Sequence, residues 1–129
     1  MAEDSDLTDP IECISAITLV VRDMAASVAF YRSLGLGLQF GDEDASFVTF
    51  GAGSGFVNLQ DAAAGERPGD PGWGRVVFWV HDVDEVHERA LAAGLSPEMA
   101  PSDAPWGERY FHLRDPDGHE LSFARPLDR

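Results

Sequence analysis

Residues 17–36, ITLVVRDMAASVAFYRSLGL, are matched 59 positions later by residues 76–95, VVFWVHDVDEVHERALAAGL. The aspartate after each apolar run and the Gly-Leu pair that ends each segment recur at this spacing: Asp23 and Asp82, Gly35 and Gly94, Leu36 and Leu95. A self-match at a fixed offset usually reports a duplicated supersecondary unit. Two copies predict a paired fold around one shared concavity, and small ligands favour such concavities.

The periodicity inside each copy predicts a strand followed by a helix. Apolar residues alternate through both runs, at Ile17, Leu19, Val21 and at Val76, Phe78, Val80. This is strand spacing with one buried face. The aspartate of each copy lies where a helix N-cap is expected, and the glycine supplies a left-handed stop. Helices should therefore run to about Leu34 and to about Ala93.

Short strands are expected after each helix, at 38–40, 47–50 and 56–60 in the first half and at 109–114 and 120–124 in the second. Gly51–Gly55 and the Asp-Pro-Asp-Gly sequence at 115–118 are expected to be hairpin connections. Each half is therefore predicted as βαβββ. The predicted fold class is α+β, with two modules forming a curved mixed sheet around a concave cleft and helices on the convex side.

The chain is expected to divide into four parts. Residues 1–13 form an acidic N-terminal tail, residues 14–60 the first module, residues 61–74 a linker rich in Gly and Pro, and residues 75–126 the second module. At 129 residues, the chain fits one domain or two fused half-domains too small to be stable apart. The linker also carries Trp73.

Charge and composition exclude several functions. The formal net charge of −14 comes from 23 acidic residues against nine basic ones, all of which are Arg. Such a field disfavours nucleic acid and anionic membranes; it either favours cationic ligands or serves solubility alone. The lack of Lys removes Schiff-base chemistry. No apolar run approaches the roughly 20 residues of a membrane span, the acidic N-terminus does not resemble a signal peptide, and Cys13 is the single cysteine, so a cytoplasmic protein is expected.

Two motifs make a family resemblance specific. They are FYRSLGL at residues 30–36, after a strand ending in V-x-D, and RDPDGHELSF at residues 114–123. Together they resemble the vicinal oxygen chelate superfamily, which includes glyoxalases, bleomycin-resistance proteins and extradiol dioxygenases. The resemblance covers about residues 14 to 126. It implies the paired βαβββ fold and does not choose among the activities.

The resemblance also implies where a metal would be held. Enzymes of the superfamily bind a divalent metal through one His or Gln and one Glu from each module. The corresponding positions here are Ala16, Asn58, Arg75 and Ser122. Alanine and a permanently cationic guanidinium cannot donate to a metal. We therefore expect neither a metal nor another cofactor.

The four histidines do not restore the chelate. His81, His87 and His119 are expected to be solvated or to lie on a helix surface. If Phe111 and Leu113 point toward the helices, period-two geometry places Tyr110 and His112 on the opposite face of their strand. The same alternation turns Glu120 and Ser122 toward the concave cleft. His112 and Glu120 could reach one point, but two donors make a poor metal site.

The residues predicted to face the concave cleft instead have the composition of a small-molecule pocket, mostly apolar with a few polar groups. Trp106 lies in a Pro-Trp-Gly connection, where it either stacks on a ligand or covers a sheet edge or dimer contact. A guanidinium facing a semi-apolar pocket needs a carboxylate or an anionic ligand group. Arg75 and Glu120 are therefore expected to face the cleft, where they either pair with each other or divide the work of orienting a polar ligand. The predicted ligand-binding residues are Asn58, Arg75, Trp79, Trp106, Tyr110, His112, Glu120 and Ser122.

Two functions remain open. The first is a metal-independent binding protein similar to the bleomycin-resistance branch, which sequesters a cationic or aromatic small molecule. The second is a lyase, isomerase or dioxygenase of the same superfamily, working with a relocated metal or with Glu120 or His112 as a base. The resemblance also implies a homodimer. No nucleic-acid or membrane partner is expected.

Overall fold

The computed structural model describes residue 10 and residues 13–65 and 74–128. Most of the predicted acidic tail and residues 66–73 of the predicted linker, with Trp73, lie outside the described residues. The domain boundaries proposed from the sequence stay a prediction. No helix in the described ranges is long and apolar enough to cross a membrane.

The α+β fold class predicted from the sequence is confirmed. The first module consists of β1 (Ala16–Val21), α1 (Met24–Ser33), β2 (Gly37–Phe40), β3 (Phe47–Ala52) and β4 (Gly55–Asp61). The second consists of β5 (Arg75–Trp79), α2 (Val83–Ala92), β6 (Ser102–Asp103), β7 (Glu108–Arg114) and β8 (Glu120–Pro126). The strands form two four-stranded mixed sheets, in the orders β1-β4-β3-β2 and β5-β8-β7-β6. In each sheet the strand before the helix pairs in parallel with the last strand of its module.

One strand was not located from the sequence. β6 has two residues, Ser102 and Asp103, and it pairs with β7 through Tyr110 and Arg109. Two exposed polar residues carry no hydrophobic alternation, so no periodic signal marks this strand. Its pairing with β7 is what makes it a strand.

Both helices begin and end where the repeat predicts. The Asp23 carboxylate accepts from the Ala26 N–H, and the Asp82 carboxylate accepts from the Glu85 N–H, each at 3.1 Å. These bonds satisfy N–H groups that the first helical turn leaves without a backbone partner. Beyond the helix ends, Gly35 and Gly94 have φ of 104° and 79°, in the left-handed region that glycine enters without strain.

Strand alternation divides each sheet into a helix-covered face and a face turned away from the helices. Leu19, Val57 and Leu59 are buried in the first module, and Phe111 and Phe123 in the second. The rings of Phe111 and Phe123 stack with centroids 5.1 Å apart, and the edge of His87 meets Phe111 at the same distance. His87 lies on α2, within the expectation of a solvated or helix-surface side chain, and its ring edge packs against the core.

The two diagnostic motifs meet in the core. The Tyr31 hydroxyl, in the FYRSLGL segment, donates to the Asp115 carboxylate of the DPDG turn at 2.7 Å. Both residues are buried. Burial raises the pKa of Asp115 above its ordinary value, and bonds from Tyr31 and from backbone N–H groups oppose that rise. The turn of the second module is thereby held on the helix of the first.

His119 contributes to the same contact and corrects the sequence-based expectation of a solvated histidine. It is only 3% exposed, and its Nε2 lies 2.9 Å from the Val20 carbonyl oxygen of β1. A carbonyl only accepts, so Nε2 must donate. The DPDGH segment therefore joins the modules, which its turn-forming composition alone does not indicate.

Candidate ligand-binding site

The face of the second sheet turned away from α2, here called the open face, carries most of the predicted site residues. Strand register arranges them in three rows across β5, β8 and β7. The rows are Arg75–Glu120–Arg114, Val77–Ser122–His112 and Trp79–Ala124–Tyr110. Because side chains alternate along a strand, residues two apart share this face. The parity predicted for Tyr110, His112, Glu120 and Ser122 agrees with this register.

Four polar side chains of the open face form one hydrogen-bonded cluster, here called the Arg75 cluster. The Arg75 guanidinium donates from Nη1 to Ser122 Oγ at 2.9 Å and from Nη2 to Glu120 Oε1 at 2.6 Å. Nη1 also lies 2.9 Å from His112 Nδ1, which is 2.8 Å from Ser122 Oγ. The pairing of Arg75 with Glu120, one of the two arrangements expected from the sequence, is present, and Ser122 and His112 complete it.

The tautomer of His112 follows from these contacts. A guanidinium has donors only, so the Nδ1 atom beside Arg75 must accept. A neutral imidazole with an accepting Nδ1 carries its proton on Nε2. Burial lowers the pKa of His112 below its ordinary value of 6.5, and the neighbouring Arg75 charge lowers it further. His112 is therefore a neutral hydrogen-bond donor at pH 7.

Aromatic rings extend along β7 from the Arg75 cluster. The Tyr110 ring centroid lies 5.1 Å from that of His112 and 5.6 Å from that of Trp106. Trp106 lies in the tight turn between β6 and β7, where the Gly107 N–H donates to the Ala104 carbonyl at 3.0 Å. The Trp106 ring is 67% exposed, and its Nε1 donates to Glu108. We call the rings of Trp106, Tyr110 and His112 the aromatic row.

Trp79 and Asn58 are not members of the aromatic row. Trp79 is separated from Tyr110 by Ala124 of β8. Trp79, at the end of β5, is 61% exposed. Asn58 belongs to the first sheet, where its side-chain oxygen accepts from Thr49 at 2.8 Å and its amide donates to Thr18 at 3.2 Å. The structure does not bring Asn58 to the Arg75 cluster. Thr49 was not anticipated; it alternates with the buried Val48 and Phe50, but its pairing with Asn58 depends on the β3–β4 register.

A cleft of about 740 Å³ lies between the modules, beside the edge strands β1 and β5 of the two sheets. Its walls include residues 14–17, residues 51–57 and residues 75–80. Arg75 and Trp79 thus face the cleft, whereas the other six predicted site residues are not part of its described wall. The Arg75 cluster therefore borders the cleft through one residue.

The side chains at the four expected metal-ligand positions do not fit a divalent cation. Ala16 has no donor atom, and the Arg75 charge repels a cation. Ser122 accepts from Arg75, and Asn58 is bonded to two threonines. No group of three or more His, Cys, Asp or Glu side chains in the described part of the chain is placed to hold a metal. The donor set suits hydrogen bonding to a ligand better than metal coordination.

Comparison with known proteins places this geometry in a family. An uncharacterized protein of Mycobacterium bovis is 44% identical over 48 residues, which are 37% of this chain and 32% of that protein. The match thus spans about a third of the curated relative. The structure of lactoylglutathione lyase from Agrobacterium tumefaciens is similar with a TM-score of 0.71 and 28% identity, covering 90% of this chain and 95% of that chain.

A bleomycin-binding protein complexed with bleomycin is similar with a TM-score of 0.68 and 23% identity, over 89% of this chain and 98% of that one. At this identity the likeness concerns the fold alone. Residues 14–123 match the family described as the Glyoxalase/Bleomycin resistance protein/Dioxygenase superfamily. With this match and its two βαβββ modules, the chain belongs to that superfamily.

Proposed function

We propose that this protein binds a small molecule on the open face and sequesters it without a catalytic metal, as a resistance or storage protein of the cytoplasm. The observation that carries the proposal is the Arg75 cluster. A guanidinium occupies a position where the resemblance to the superfamily leads us to expect a metal ligand, and three neighbouring side chains contact it at 2.6 to 2.9 Å. Such a network positions polar groups for recognition, which is what a mostly apolar binding surface requires.

The surroundings of the cluster support an aromatic ligand more directly than a cationic one. Trp106 and Trp79 expose large ring surfaces, and Tyr110 adds a third ring. Flat amphipathic rings of this kind give contact area at low entropic cost. The Glu120 carboxylate on the open face is bonded to Arg75. The negative net charge of the chain therefore does not by itself make Glu120 a site for a cationic ligand.

The second candidate is an enzyme of the same superfamily, a lyase, isomerase or dioxygenase. The 28% identity to lactoylglutathione lyase over 90% of this chain favours it. The cluster argues against His112 as its base. A base needs a free lone pair within reach of the proton that it removes, and Nδ1 of His112 already accepts hydrogen bonds. The bond from Arg75 to one carboxylate oxygen of Glu120 at 2.6 Å does not exclude Glu120, because a carboxylate has two oxygens.

A thermal-shift screen tests the proposal. The purified protein is heated with aromatic antibiotics and aromatic metabolites, both cationic and neutral, and separately with Ni²⁺, Zn²⁺, Fe²⁺ or Mn²⁺. A ligand present at 100 times its Kd adds about 2.7 kcal/mol of stability, which a melting curve detects. Stabilisation by an aromatic compound without metal supports sequestration. Stabilisation by a metal, together with turnover of hemithioacetal or catechol substrates, would favour the enzyme.

A further inference from the structure

One imidazole nitrogen of His112 is hydrogen-bonded within the Arg75 cluster, and the other points away from the cluster. Nδ1 is directed at Arg75 and Ser122, on the β8 side. The two ring nitrogens point in widely different directions, so Nε2 points away from that pair. Among residues 13–65 and 74–128, the structure gives Nε2 of His112 no hydrogen-bond partner. A fixed N–H donor therefore lies on a face that the proposed function assigns to a ligand.

The groups around this N–H donor indicate which kind of ligand group could accept its hydrogen bond. On one side is the Tyr110 ring, with its centroid 5.1 Å from the imidazole and inclined by 56°. On the other side is a guanidinium, which also only donates. A neutral N–H, a guanidinium and an aromatic face thus lie together, and the carboxylates of Glu98 and Glu120 oppose the Arg75 charge at His112. The N–H donor favours an oxygen or nitrogen acceptor attached to a flat ring over an ammonium group, which has no acceptor atom.

We infer that His112 is the specificity-determining hydrogen-bond donor of the site, held in its Nε2–H tautomer by Arg75 and Ser122. The ligand that it selects is an aromatic compound with an acceptor substituent, such as a carbonyl or carboxylate, beside a ring that lies along Tyr110 and Trp106. The inference rests on the proposed function of the open face. It goes further because it specifies a ligand that carries a hydrogen-bond acceptor, whereas the net charge of the chain suggests a cationic ligand.

The tautomer is tested first, without a ligand. Long-range ¹H–¹⁵N correlation spectra of protein labelled at histidine distinguish the Nε2–H from the Nδ1–H form. We expect His112 to be neutral and protonated at Nε2 at pH 7. An Nδ1–H or doubly protonated ring would overturn the inference whatever binds.

Ligand chemistry is tested with three probes that share one ring system: 2-naphthamide, 2-naphthoate and 2-naphthylmethylammonium. Binding is followed through the Trp106 indole N–H and the His112 nitrogens. We expect the amide and the carboxylate to bind more tightly than the ammonium and to shift Nε2. Tighter binding of the ammonium contradicts the acceptor assignment while leaving the proposed site intact. If no probe perturbs Trp106 or His112, both the site and the inference fail.

Two substitutions of His112 separate the role of the Nε2–H donor from the role of Nδ1 as the acceptor for Arg75. His112→Gln places an amide near the former Nε2, so it keeps a donor toward the ligand. His112→Asn places its oxygen near the former Nδ1, so it keeps the acceptor for Arg75 and loses the ligand-facing donor. We expect naphthamide affinity to fall by about fivefold or more in His112→Asn, the loss of one neutral hydrogen bond, and by less in His112→Gln. Equal affinity of both variants and the wild type would overturn the assignment.

Discussion

At the scale of single residues, the Arg75–Glu120 contact is the sharpest structural feature of the site. Its side chains are 33% and 18% exposed, less than those of most ion pairs on this surface. Arg75→Ala should destabilise the fold because it removes the guanidinium that bonds to Glu120, Ser122 and His112. Adding Glu120→Ala should recover part of the loss. We expect a coupling free energy of roughly 1 kcal/mol, near the upper end for partly exposed pairs, from urea denaturation of the four-protein cycle.

The Arg114–Glu98 pair provides a matched control. Arg114 lies in β7 of the same sheet and Glu98 in the connection between α2 and β6, and their side chains are 48% and 38% exposed. Solvent screens such a pair more strongly, so the same cycle at this pair should give a smaller coupling. Strict additivity at Arg75 and Glu120 would show that their contact contributes nothing to stability.

A second residue-scale prediction concerns pH. The pKa of His112 is lowered in the folded state, so the unfolded state binds more protons as the pH falls through its ordinary value of 6.5. The contribution of His112 to stability is therefore complete above that pH and is lost as the pH falls toward the lowered folded-state pKa. His112→Gln should reduce the loss of melting temperature between pH 7.5 and pH 5. His81→Gln, at an exposed position, should follow the wild type; identical pH profiles for all three proteins would contradict the assignment.

At the scale of elements, the contact between α1 and the β7–β8 turn holds the modules together. Tyr31→Phe removes the hydroxyl that donates to the buried Asp115 carboxylate at 2.7 Å. Leaving a buried acceptor with one donor fewer costs about 1 to 3 kcal/mol, measurable by urea denaturation at pH 7. Tyr110→Phe is the control, because no hydrogen bond of the Tyr110 hydroxyl is present among the described residues. Equal losses of unfolding free energy in the two variants would show that the Tyr31–Asp115 bond between the modules does not contribute to stability.

The elements themselves were largely predictable. Period-two alternation located β1 and β5, and the paired aspartates and glycines located both helices to within one or two residues. The exceptions are informative. β6 has no periodic signal, and His119 is buried because the turn that carries it docks on β1. Local patterns report a residue's own element, whereas docking of one element on another depends on the completed fold.

At the scale of the whole molecule, we predict a homodimer. Val77, Trp79 and Phe56 are apolar side chains 40% to 61% exposed on the faces turned away from the helices, and β1 and β5 are edge strands of their sheets. Exposed apolar patches and free strand edges are typical of surfaces that a partner covers. Light scattering at micromolar concentration should give twice the chain mass, and Val77→Glu should shift it toward one chain.

Leu91→Glu is the matched control for the dimer. Leu91 is 55% exposed, almost the same as Val77, but it lies on α2. The control variant should keep the mass of the wild type. A wild-type protein that scatters as a single chain, or equal dissociation by both substitutions, would exclude this interface.

The whole protein should also purify without a stoichiometric metal. Elemental analysis should find less than one Zn, Ni, Fe or Mn per chain, and a chelator should leave the melting temperature unchanged, because metal binding would otherwise add to the folding free energy. One metal bound per wild-type chain would contradict the prediction.

The sequence by itself determined the repeat, the order of the helices and of every strand except β6, the face on which each predicted strand residue lies, and, through the family resemblance, the absence of metal-binding side chains at Ala16 and Arg75. These properties are local, because hydrophobic period and residue chemistry can be read along a short segment. Only the tertiary structure decided which distant residues touch. Tyr31 reaches Asp115 across 84 positions, and Arg75 reaches His112 across 37. Such contacts depend on strand register and on the docking of one module against the other, which are fixed by the packing of the whole core.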